Sequence, residues 1–273
     1  MKKSKWIFIL LFAVVSTFDV HAKIYDCFTF FNELDILKIR LDEMYDHVDH
    51  FVLVESAETF RGNPKPAYFN DNQHLFTKWA DKIIYVYVED RFESESPWPR
   101  EAFQRNQIMR GLVDAKDDDI VLISDVDEIV RGSDMPKLIS SVLNDPNCIT
   151  GCIQQLYHYY INRKHDGSDG CWNGTQASSL STVRQLTPQQ TRVMASQYLI
   201  ENSGWHFSSM GRVNCMEKIK AFSHFEDDTP DFPERLVQRI NGLTLVPIDS
   251  SYPRYILENV EYFENNGFID LSE

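Results

Sequence analysis

The sequence predicts an α/β protein built on a mostly parallel β-sheet. In the first half of the chain, apolar strand-like segments alternate with segments that repeat apolar residues at helical spacing. Such alternation forms βαβ units, in which neighbouring strands run parallel. The 273 residues, 43% of them hydrophobic, are enough for one sizeable domain. Gly and Pro occur 11 times each, which is ordinary for a globular chain.

The first half of the chain predicts four strands and two helices. The strands are Lys23–Phe30, His50–Ser56, Lys82–Asp90 and Asp117–Asp127, and the helices are Asn32–Tyr45 and Pro99–Val113. In the first helix Leu34, Leu37, Leu41 and Tyr45 fall on one face, with Asn32 as a possible N-cap. The second helix has a proline near its start, where the missing N–H is tolerated.

The second half of the chain is less regular. Residues 148–163 are apolar and aromatic enough for one or two strands, and residues 164–176 predict a loop rich in Gly, Asp and Asn. GWHFSSMG, residues 204–211, predicts a short strand between glycines, and residues 233–243 a late helix. Because no clean boundary is visible, we expect residues 23–273 to form one domain with an elaborated C-terminal half.

Charge and cysteine content narrow the classes of partner. The net charge is −14, and no Lys/Arg-rich run lies beyond the extreme N-terminus, so we expect no nucleic-acid partner. The five cysteines are an odd number and too few for a disulfide scaffold. Cys148 and Cys152 have no second Cys or His pair at zinc-like spacing. We expect buried cysteines or one local bridge.

Residues 1–22 have the pattern of a secretory signal peptide. Three lysines precede an apolar stretch from Trp6 to Val15, and the segment ends in Ala22. The pattern predicts export with cleavage after Ala22, or a short uncleaved membrane anchor. In a eukaryote the destination would be the secretory lumen. In a bacterium it would be the periplasm, the exterior or the inner membrane.

The segment VLISDVDEIV, residues 121–130, carries the clearest chemistry. Asp125 and Asp127 follow a buried strand, and ligands of parallel sheets bind beyond the carboxyl ends of the strands. Two such carboxylates suit Mg²⁺ or Mn²⁺, which prefer oxygen ligands and leave sites open for phosphate. A phosphatase would use Asp125 as nucleophile, but Ile129 stands where Thr or Val is expected and the motif lies mid-chain. A solvated acidic turn is the simplest alternative.

Five blocks of sequence, in order, resemble glycosyltransferase family 17, whose best-known member adds the bisecting GlcNAc to N-glycans. The blocks are residues 28–69, 98–112, 117–129, 204–211 and 218–226. Together they extend from about Lys23 to about Asp227. The resemblance implies a GT-A type fold, a UDP-sugar donor (UDP-GlcNAc in that member), a divalent metal, Mn²⁺ or Mg²⁺, and inversion at the anomeric carbon. Asp125 and Asp127 match the family's acidic motif, although Val130 replaces an expected proline.

Positions at the predicted strand ends suggest which residues bind the donor. The predicted donor-binding residues are Phe31, Asn32, Glu33, Glu55, Arg61, Lys65, Arg105 and Asn106. Glu55 ends the second strand, where a carboxylate can accept from a ribose hydroxyl or the uracil N–H. Arg105 suits phosphate oxygens as a bidentate donor. Helix capping by Asn32 and Glu33, and an ion pair between Arg105 and Glu101, are the alternatives.

The remaining roles are assigned to a metal ligand, two aromatic platforms and a base. His206 is the predicted third metal ligand beside Asp125 and Asp127, with His224 as its rival. Trp172 and Trp205 are predicted to stack on acceptor sugars, with core packing as the alternative. Inverting transfer also needs a general base. The available carboxylates are Glu128, Asp169, Glu201, Glu217, Glu226 and Asp227, of which we favour Glu217.

The sequence therefore predicts a metal-dependent inverting glycosyltransferase with a nucleotide-sugar donor and a glycan or glycoconjugate acceptor. Acceptor identity and oligomeric state stay open. A phosphatase, or an exported carbohydrate-binding protein without turnover, are the competing hypotheses.

Overall fold

The structure is a computed structural model that describes residues 22–223 and 225–272. The strands are β1 (Ile24–Phe30), β2 (His50–Ser56), β3 (Ile83–Val88), β4 (Ile120–Asp125), β5 (Glu128–Val130), β6 (Thr150–His158), β7 (Arg163–Lys164), β8 (Cys171–Ser179), β9 (Tyr198–Ile200), β10 (Gly204–Ser208) and β11 (Thr244–Leu245). The helices are α1 (Leu34–Met44), α2 (Tyr68–Asp71), α3 (Pro97–Asn106), α4 (Ile108–Gly111), α5 (Met135–Asn144), α6 (Leu180–Gln185), α7 (Pro188–Val193), α8 (Arg212–Ala221), α9 (Phe232–Asn241), α10 (Arg254–Glu258) and α11 (Val260–Asn265).

Two predictions concern residues that the structure does not describe. The signal segment lies outside the described residues except for Ala22, and so does His224, the rival metal ligand. Export therefore stays a prediction. Among the described residues, no helix has the length and apolar character needed to cross a bilayer.

The four strands predicted in the first half of the chain form the parallel part of the sheet, in the order β3-β2-β1-β4. Their alternating side chains are buried on both faces. From β1, Phe28 and Phe30 join the apolar cluster packed against α1 and α5, while Cys27 joins the cluster packed against α3 and α4. The α/β class and the parallel N-terminal half are confirmed.

Beyond β4 the sheet is mixed. β8 pairs antiparallel with both β4 and β6, β10 runs parallel to β6, and β5 pairs antiparallel with β10. The predicted loop at residues 164–176 was wrong in its second part, because residues 171–176 begin β8. The buried Thr175 and Gln176 explain the error, since their polar side chains hide a strand that is paired on both edges.

Local boundaries differ from prediction in two places. The helix predicted over Pro99–Val113 is two helices, since α3 ends at Asn106 and α4 begins at Ile108. The first helix begins at Leu34, with Glu33 rather than Asn32 at the cap position. All five cysteines are free thiols, four of them buried.

The last helices, α10 and α11, pack against β10. In one apolar cluster, Ile256, Phe263 and Phe268 from the C-terminal segment pack with Trp205 and Phe207 of β10. Ile36 and Ile39 of α1 belong to the same cluster. The C-terminal segment therefore supports the elements that border the site described next.

Candidate active site

One buried arginine holds the acidic turn, Asp125–Glu128, against the end of β4. Nη1 of Arg40 donates to the backbone carbonyl oxygens of the first and last residues of the turn, each at 2.9 Å. The other edge of the guanidinium forms a bidentate pair with the Asp26 carboxylate and donates to the Ser124 hydroxyl. The Arg40 side chain is 1% exposed. Because the guanidinium is planar and rigid, these bonds fix the direction in which the turn leaves the strand.

A cavity of about 580 Å³ opens at the carboxyl ends of β1 and β4. In the described part of the chain its acidic lining residues are Glu33, Glu58, Glu101, Asp125, Asp127 and Asp227. Its Lys and Arg lining residues are Lys65, Arg105, Arg192, Lys218 and Arg239. Positive and negative side chains therefore nearly balance before any ligand enters.

Asp125 faces the cavity from the end of β4. Its Oδ1 accepts from the Thr29 hydroxyl at 3.0 Å and from Nη2 of Arg105 at 2.9 Å. Arg105 is itself held by Glu101 at 2.9 Å and by the side-chain oxygen of Gln189. Burial alone would raise the pKa of the Asp125 carboxyl, but the Arg charges and the hydrogen bond outweigh it and lower the pKa to about 2. This carboxylate is charged at neutral pH.

Asp127 is 3% exposed, and its carboxylate lies beside Lys218 and His206. Its Oδ2 accepts from Nζ of Lys218 at 2.9 Å, and its Oδ1 lies 3.5 Å from Nε2 of His206. Nζ of Lys218 also lies 3.1 Å from Oε1 of Glu33. Burial raises the pKa of Asp127, but Lys218 and His206 outweigh burial and hold that pKa well below its usual range. Strand β10 brings His206 there by pairing it with Glu128 of β5.

Glu128 supports the turn from behind and does not line the cavity. Its carboxylate is fully buried and accepts from the backbone N–H of Asp125 at 3.0 Å. It also accepts from Nε1 of Trp172 at 2.6 Å and from the Arg192 guanidinium. A carboxylate engaged by these donors has no free face for an acceptor hydroxyl. Glu128 is thus placed as a support of the turn rather than as the base.

Half of the predicted donor-binding residues line the cavity. These are Phe31, Glu33, Lys65 and Arg105. Glu33 is fixed at the end of β1, where its Oε2 accepts from the backbone N–H groups of Phe31 and Asn32. The end of β1, the loop that follows β2, and helix α3 therefore form one wall of the cavity.

The other half lie outside the lining residues and hold elements together. The Glu55 carboxylate is fully buried and accepts from Nζ of Lys65 at 2.9 Å and from the Tyr85 hydroxyl at 2.8 Å. It is therefore not presented to a nucleoside. Asn106 accepts from the backbone N–H of Gln189 at 2.9 Å, which ties α3 to α7. Arg61 pairs with the carboxylate of Asp228.

The favoured base, Glu217, is also outside the lining residues. It is an exposed residue of α8, and its carboxylate accepts from Nδ2 of Asn32 at 3.2 Å. Of the predicted bases whose side chains are described, Asp227 lines the cavity. Hydrogen bonds from Arg239 and Arg235 lower the pKa of Asp227, which weakens it as a base. The side chain of Asp169 is not among those described.

The two predicted aromatic platforms have different surroundings. Trp172 is 39% exposed, lines the cavity, and its ring lies 5.0 Å from the His206 ring. Trp205 is 3% exposed and packs in the apolar cluster beneath β10, with the Arg131 guanidinium 4.7 Å from its ring. His206 of β10 lines the cavity, and its neighbour Trp205 points to the opposite face, because successive residues of a strand alternate between faces. Trp205 is therefore placed in the core, away from any sugar.

Sequence reasoning missed several residues that shape the site. They are Arg40, Gln189, Arg192 and Lys218, whereas the ion pair between Arg105 and Glu101, given above as an alternative, is present at 2.9 Å. Arg40 gives a signal in hindsight, as a charged residue within the apolar face of α1. Lys218 lies in the block KIKAFSHFE, residues 218–226, in which roles were predicted for His224 and Glu226 and none for the lysine. The positions of Gln189 and Arg192 depend on α7, whose sequence carries no motif.

The donor set of this site fits a divalent cation that is completed by a ligand. Asp127 offers a carboxylate, and Nε2 of His206 lies 3.5 Å from its Oδ1, so the two side chains face one point. Asp125, the other carboxylate predicted to bind the metal, already accepts hydrogen bonds from Thr29 and Arg105 through Oδ1. In the described residues, no group of three or more His, Cys, Asp or Glu side chains could hold a metal ion. Mn²⁺ and Mg²⁺ at phosphate sites commonly need only one or two protein ligands.

The family model of glycosyltransferase family 17 matches residues 14–240 of the chain. The human β-1,4-mannosyl-glycoprotein 4-β-N-acetylglucosaminyltransferase is 31% identical over 107 residues, which are 36% of this chain and 20% of that protein. The rat enzyme of the same name is 28% identical over 120 residues, 41% of this chain and 22% of that protein. The match thus spans about a fifth of the length of these curated relatives.

Solved structures give a more distant likeness. The mannosyltransferase PcManGT from Pyrobaculum calidifontis, in complex with GDP-Man and Mn²⁺, has a TM-score of 0.42 and 13% identity, covering 82% of this chain and 70% of that chain. GalNAc-T7 with UDP, GalNAc and Mn²⁺ has a TM-score of 0.45 and 9% identity, covering 92% and 55%. At these TM-scores the likeness assigns no role to any residue.

Proposed function

The chain belongs to glycosyltransferase family 17, and on that basis we propose that it transfers a sugar from a UDP-sugar to a glycan hydroxyl with inversion, forming a β-linkage. N-acetylglucosamine is the proposed sugar, because the matched relatives are N-acetylglucosaminyltransferases by name. The observation that carries the proposal is the acidic turn: Asp125 and Asp127 are fixed at a strand end and open into a cavity of about 580 Å³. A volume of this size suits a small-molecule ligand.

The charge of the cavity supports a donor that arrives with a cation. Acidic and basic lining residues nearly balance, so a diphosphate would add uncompensated negative charge. Asp127 and His206 would hold the expected Mn²⁺ or Mg²⁺. When bound, that ion would neutralise the diphosphate and the departing UDP. Arg105 is held in place by Glu101 and Asp125, and its remaining N–H groups would donate to the diphosphate.

The acceptor hydroxyl needs a carboxylate base within reach of the cavity. Glu58 lines it with its arginine partner, Arg100, at 3.9 Å, whereas the Glu101 carboxylate is held by Arg105 at 2.9 Å and by the Ser223 hydroxyl at 2.7 Å. We therefore move the proposed base from Glu217 to Glu58. Trp172, with its exposed ring beside His206, is the proposed platform for an acceptor sugar.

Donor turnover tests the proposal. The protein is incubated with UDP-GlcNAc, Mn²⁺ and a simple mannoside, and proton NMR follows UDP release and the anomeric configuration of the new bond. We expect a β-configured product, and a loss of at least about 100-fold in turnover for Asp127→Asn. Asp117→Asn is the matched control, since Asp117 is an exposed carboxylate paired with Arg184.

Two results would overturn the proposal. One is turnover of Asp127→Asn equal to that of the wild type. The other is hydrolysis of a simple phosphate ester without any UDP-sugar turnover, which would favour the phosphatase hypothesis with Asp125 as nucleophile.

A further inference from the structure

We propose that Lys218 is a built-in counter-ion that occupies the metal's side of Asp127 until the donor arrives, and that its ammonium then moves onto the donor's diphosphate. The inference rests on the proposed function, because it assigns a role at the same donor site. It makes Lys218 and the divalent cation competitors for one carboxylate.

The ammonium group of Lys218 lies between two carboxylates at the cavity wall. Nζ of Lys218 lies 2.9 Å from Oδ2 of Asp127 and 3.1 Å from Oε1 of Glu33, at the cavity wall. Its side chain is 11% exposed and passes over the Phe222 ring, 4.5 Å from Nζ to the ring centroid. A cation bound by Asp127 at this face would have the ammonium within a few ångströms. Two like charges at that separation in a poorly solvated site repel strongly.

The supports of the ammonium are rigid. Glu33 is fixed by two backbone N–H groups at the end of β1, and Asp127 belongs to the turn that Arg40 anchors. Lys218 therefore neutralises two buried carboxylates that would otherwise be uncompensated in the donor-free protein.

The other lining cations are held by different partners. Lys65 pairs with Glu55, Arg192 with Glu128 and Arg239 with Asp227. Arg105 is shared between Glu101 and Asp125. Lys218 differs because it contacts the carboxylate that the metal needs. Its flexible stem and three N–H donors also allow it to exchange carboxylate oxygens for phosphate oxygens.

Movement of the Lys218 ammonium from Asp127 to the diphosphate would make the binding of nucleotide and of metal cooperative. Without nucleotide, Lys218 holds Asp127 and the metal binds weakly. With nucleotide, the diphosphate gives the ammonium a new partner, and Asp127 becomes available to the metal. The nucleotide and the metal must then strengthen each other's binding.

Mn²⁺ binding without nucleotide tests the inference. The free Mn²⁺ signal in electron paramagnetic resonance gives the Mn²⁺ affinity of the wild type, of Lys218→Met and of Lys220→Met. Lys220 is the matched control, as an exposed lysine of the same helix. We expect Lys218→Met to bind Mn²⁺ at least about 10-fold more tightly than wild type, and Lys220→Met to remain within about 3-fold. At saturating Mn²⁺, Lys218→Met should bind UDP about 10-fold more weakly.

Mn²⁺ affinity of Lys218→Met equal to that of the control would overturn the inference, and so would unchanged UDP affinity. The wild-type chain gives a second test that needs no variant. UDP should tighten its Mn²⁺ binding at least about 10-fold, and the absence of such coupling would also contradict the inference. Failure of the proposed function gives a different result, since the wild type would then bind no UDP at any Mn²⁺ concentration.

Discussion

Arg40 illustrates how one buried charge can shape a site without touching a ligand. Its N–H groups reach the Asp26 carboxylate, the Ser124 hydroxyl and three carbonyl oxygens of the acidic turn. These partners come from β1, β4 and the turn, up to 88 positions away along the chain. Its role could not be predicted from the sequence, because the partners meet only once the sheet has formed.

Replacing Arg40 by Met should destabilise the protein by about 3–5 kcal/mol. The substitution leaves the fully buried Asp26 carboxylate without its partner and frees the carbonyl oxygens of the turn. Urea unfolding of wild type and variant gives the difference in free energy of unfolding.

Arg110→Met is the control for the Arg40 experiment. Arg110 forms an ion pair with Asp90 in which both side chains are about half exposed, so its loss should cost about 1 kcal/mol or less. Equal costs for the two variants would show that Arg40 is not a structural anchor.

At the scale of elements, the parallel strands were predictable and β8 was not. Strands buried on both faces give continuous apolar segments, as in β2 and β4, and those segments stand out in the sequence. Strand β8 reads CWNGTQASS, and from Gly174 onward it is buried although most of its side chains are polar. Thr175, for instance, donates to the backbone carbonyl of Glu128 at 3.1 Å. Local composition alone gives no sign of that partner.

The glycine that begins β10 makes a testable case at this scale. Gly204 has φ +145°, and a Cβ there would lie 2.1 Å from the carbonyl oxygen of Ile129 and 2.9 Å from the backbone nitrogen of Arg131. Gly204→Ala must therefore push β5 and β10 apart, and β10 carries His206. We expect a loss of at least about 2 kcal/mol in the free energy of unfolding, together with weaker Mn²⁺ binding in the presence of UDP.

Gly167→Ala separates backbone strain from steric clash in that experiment. Gly167 has φ +62°, but a Cβ there would meet nothing within 4 Å. This variant should cost only about 1–2 kcal/mol and leave Mn²⁺ binding unchanged. A Gly204→Ala protein as stable as wild type would contradict the close packing of β5 on β10.

For the whole molecule, the C-terminal segment completes a core that begins in α1. The family match ends at residue 240, yet Ile256, Phe263 and Phe268 pack with Phe207 of β10 in one cluster. This segment showed no usable resemblance in the sequence. Its role is visible only through packing.

Phe263→Ala should therefore cost about 3–5 kcal/mol in the free energy of unfolding, because it removes a fully buried ring from that cluster. Leu271→Ala, at a side chain that is 67% exposed, should change it by less than about 0.5 kcal/mol. Urea titration of both variants gives the comparison. A small effect of Phe263→Ala would show that the C-terminal segment is dispensable for stability.

The site as a whole was partly predictable. The carboxylates at strand ends, Glu33, Asp125 and Asp127, were identified because the fold class places ligands at that edge. The cations that pair with them, Arg105 and Lys218, come from α3 and α8, and their positions depend on helix packing that no short motif records. Glu55 and Trp205 were assigned to ligands, although the structure uses them inside the protein. The end of a strand could be identified as a wall of the cavity from the sequence. Whether a given side chain there points into the cavity or into the core could be seen only in the tertiary structure.

The central claim is that a nucleotide donor binds at the acidic turn with a divalent cation. Isothermal titration of UDP into the wild-type chain and into Asp127→Asn, each at saturating Mn²⁺ and again with a chelator, tests it most directly. We predict saturable binding by the wild type with Mn²⁺, and binding at least about 10-fold weaker without the ion or without the Asp127 carboxylate. UDP binding of the same strength in all four titrations, or none in any, would contradict the claim.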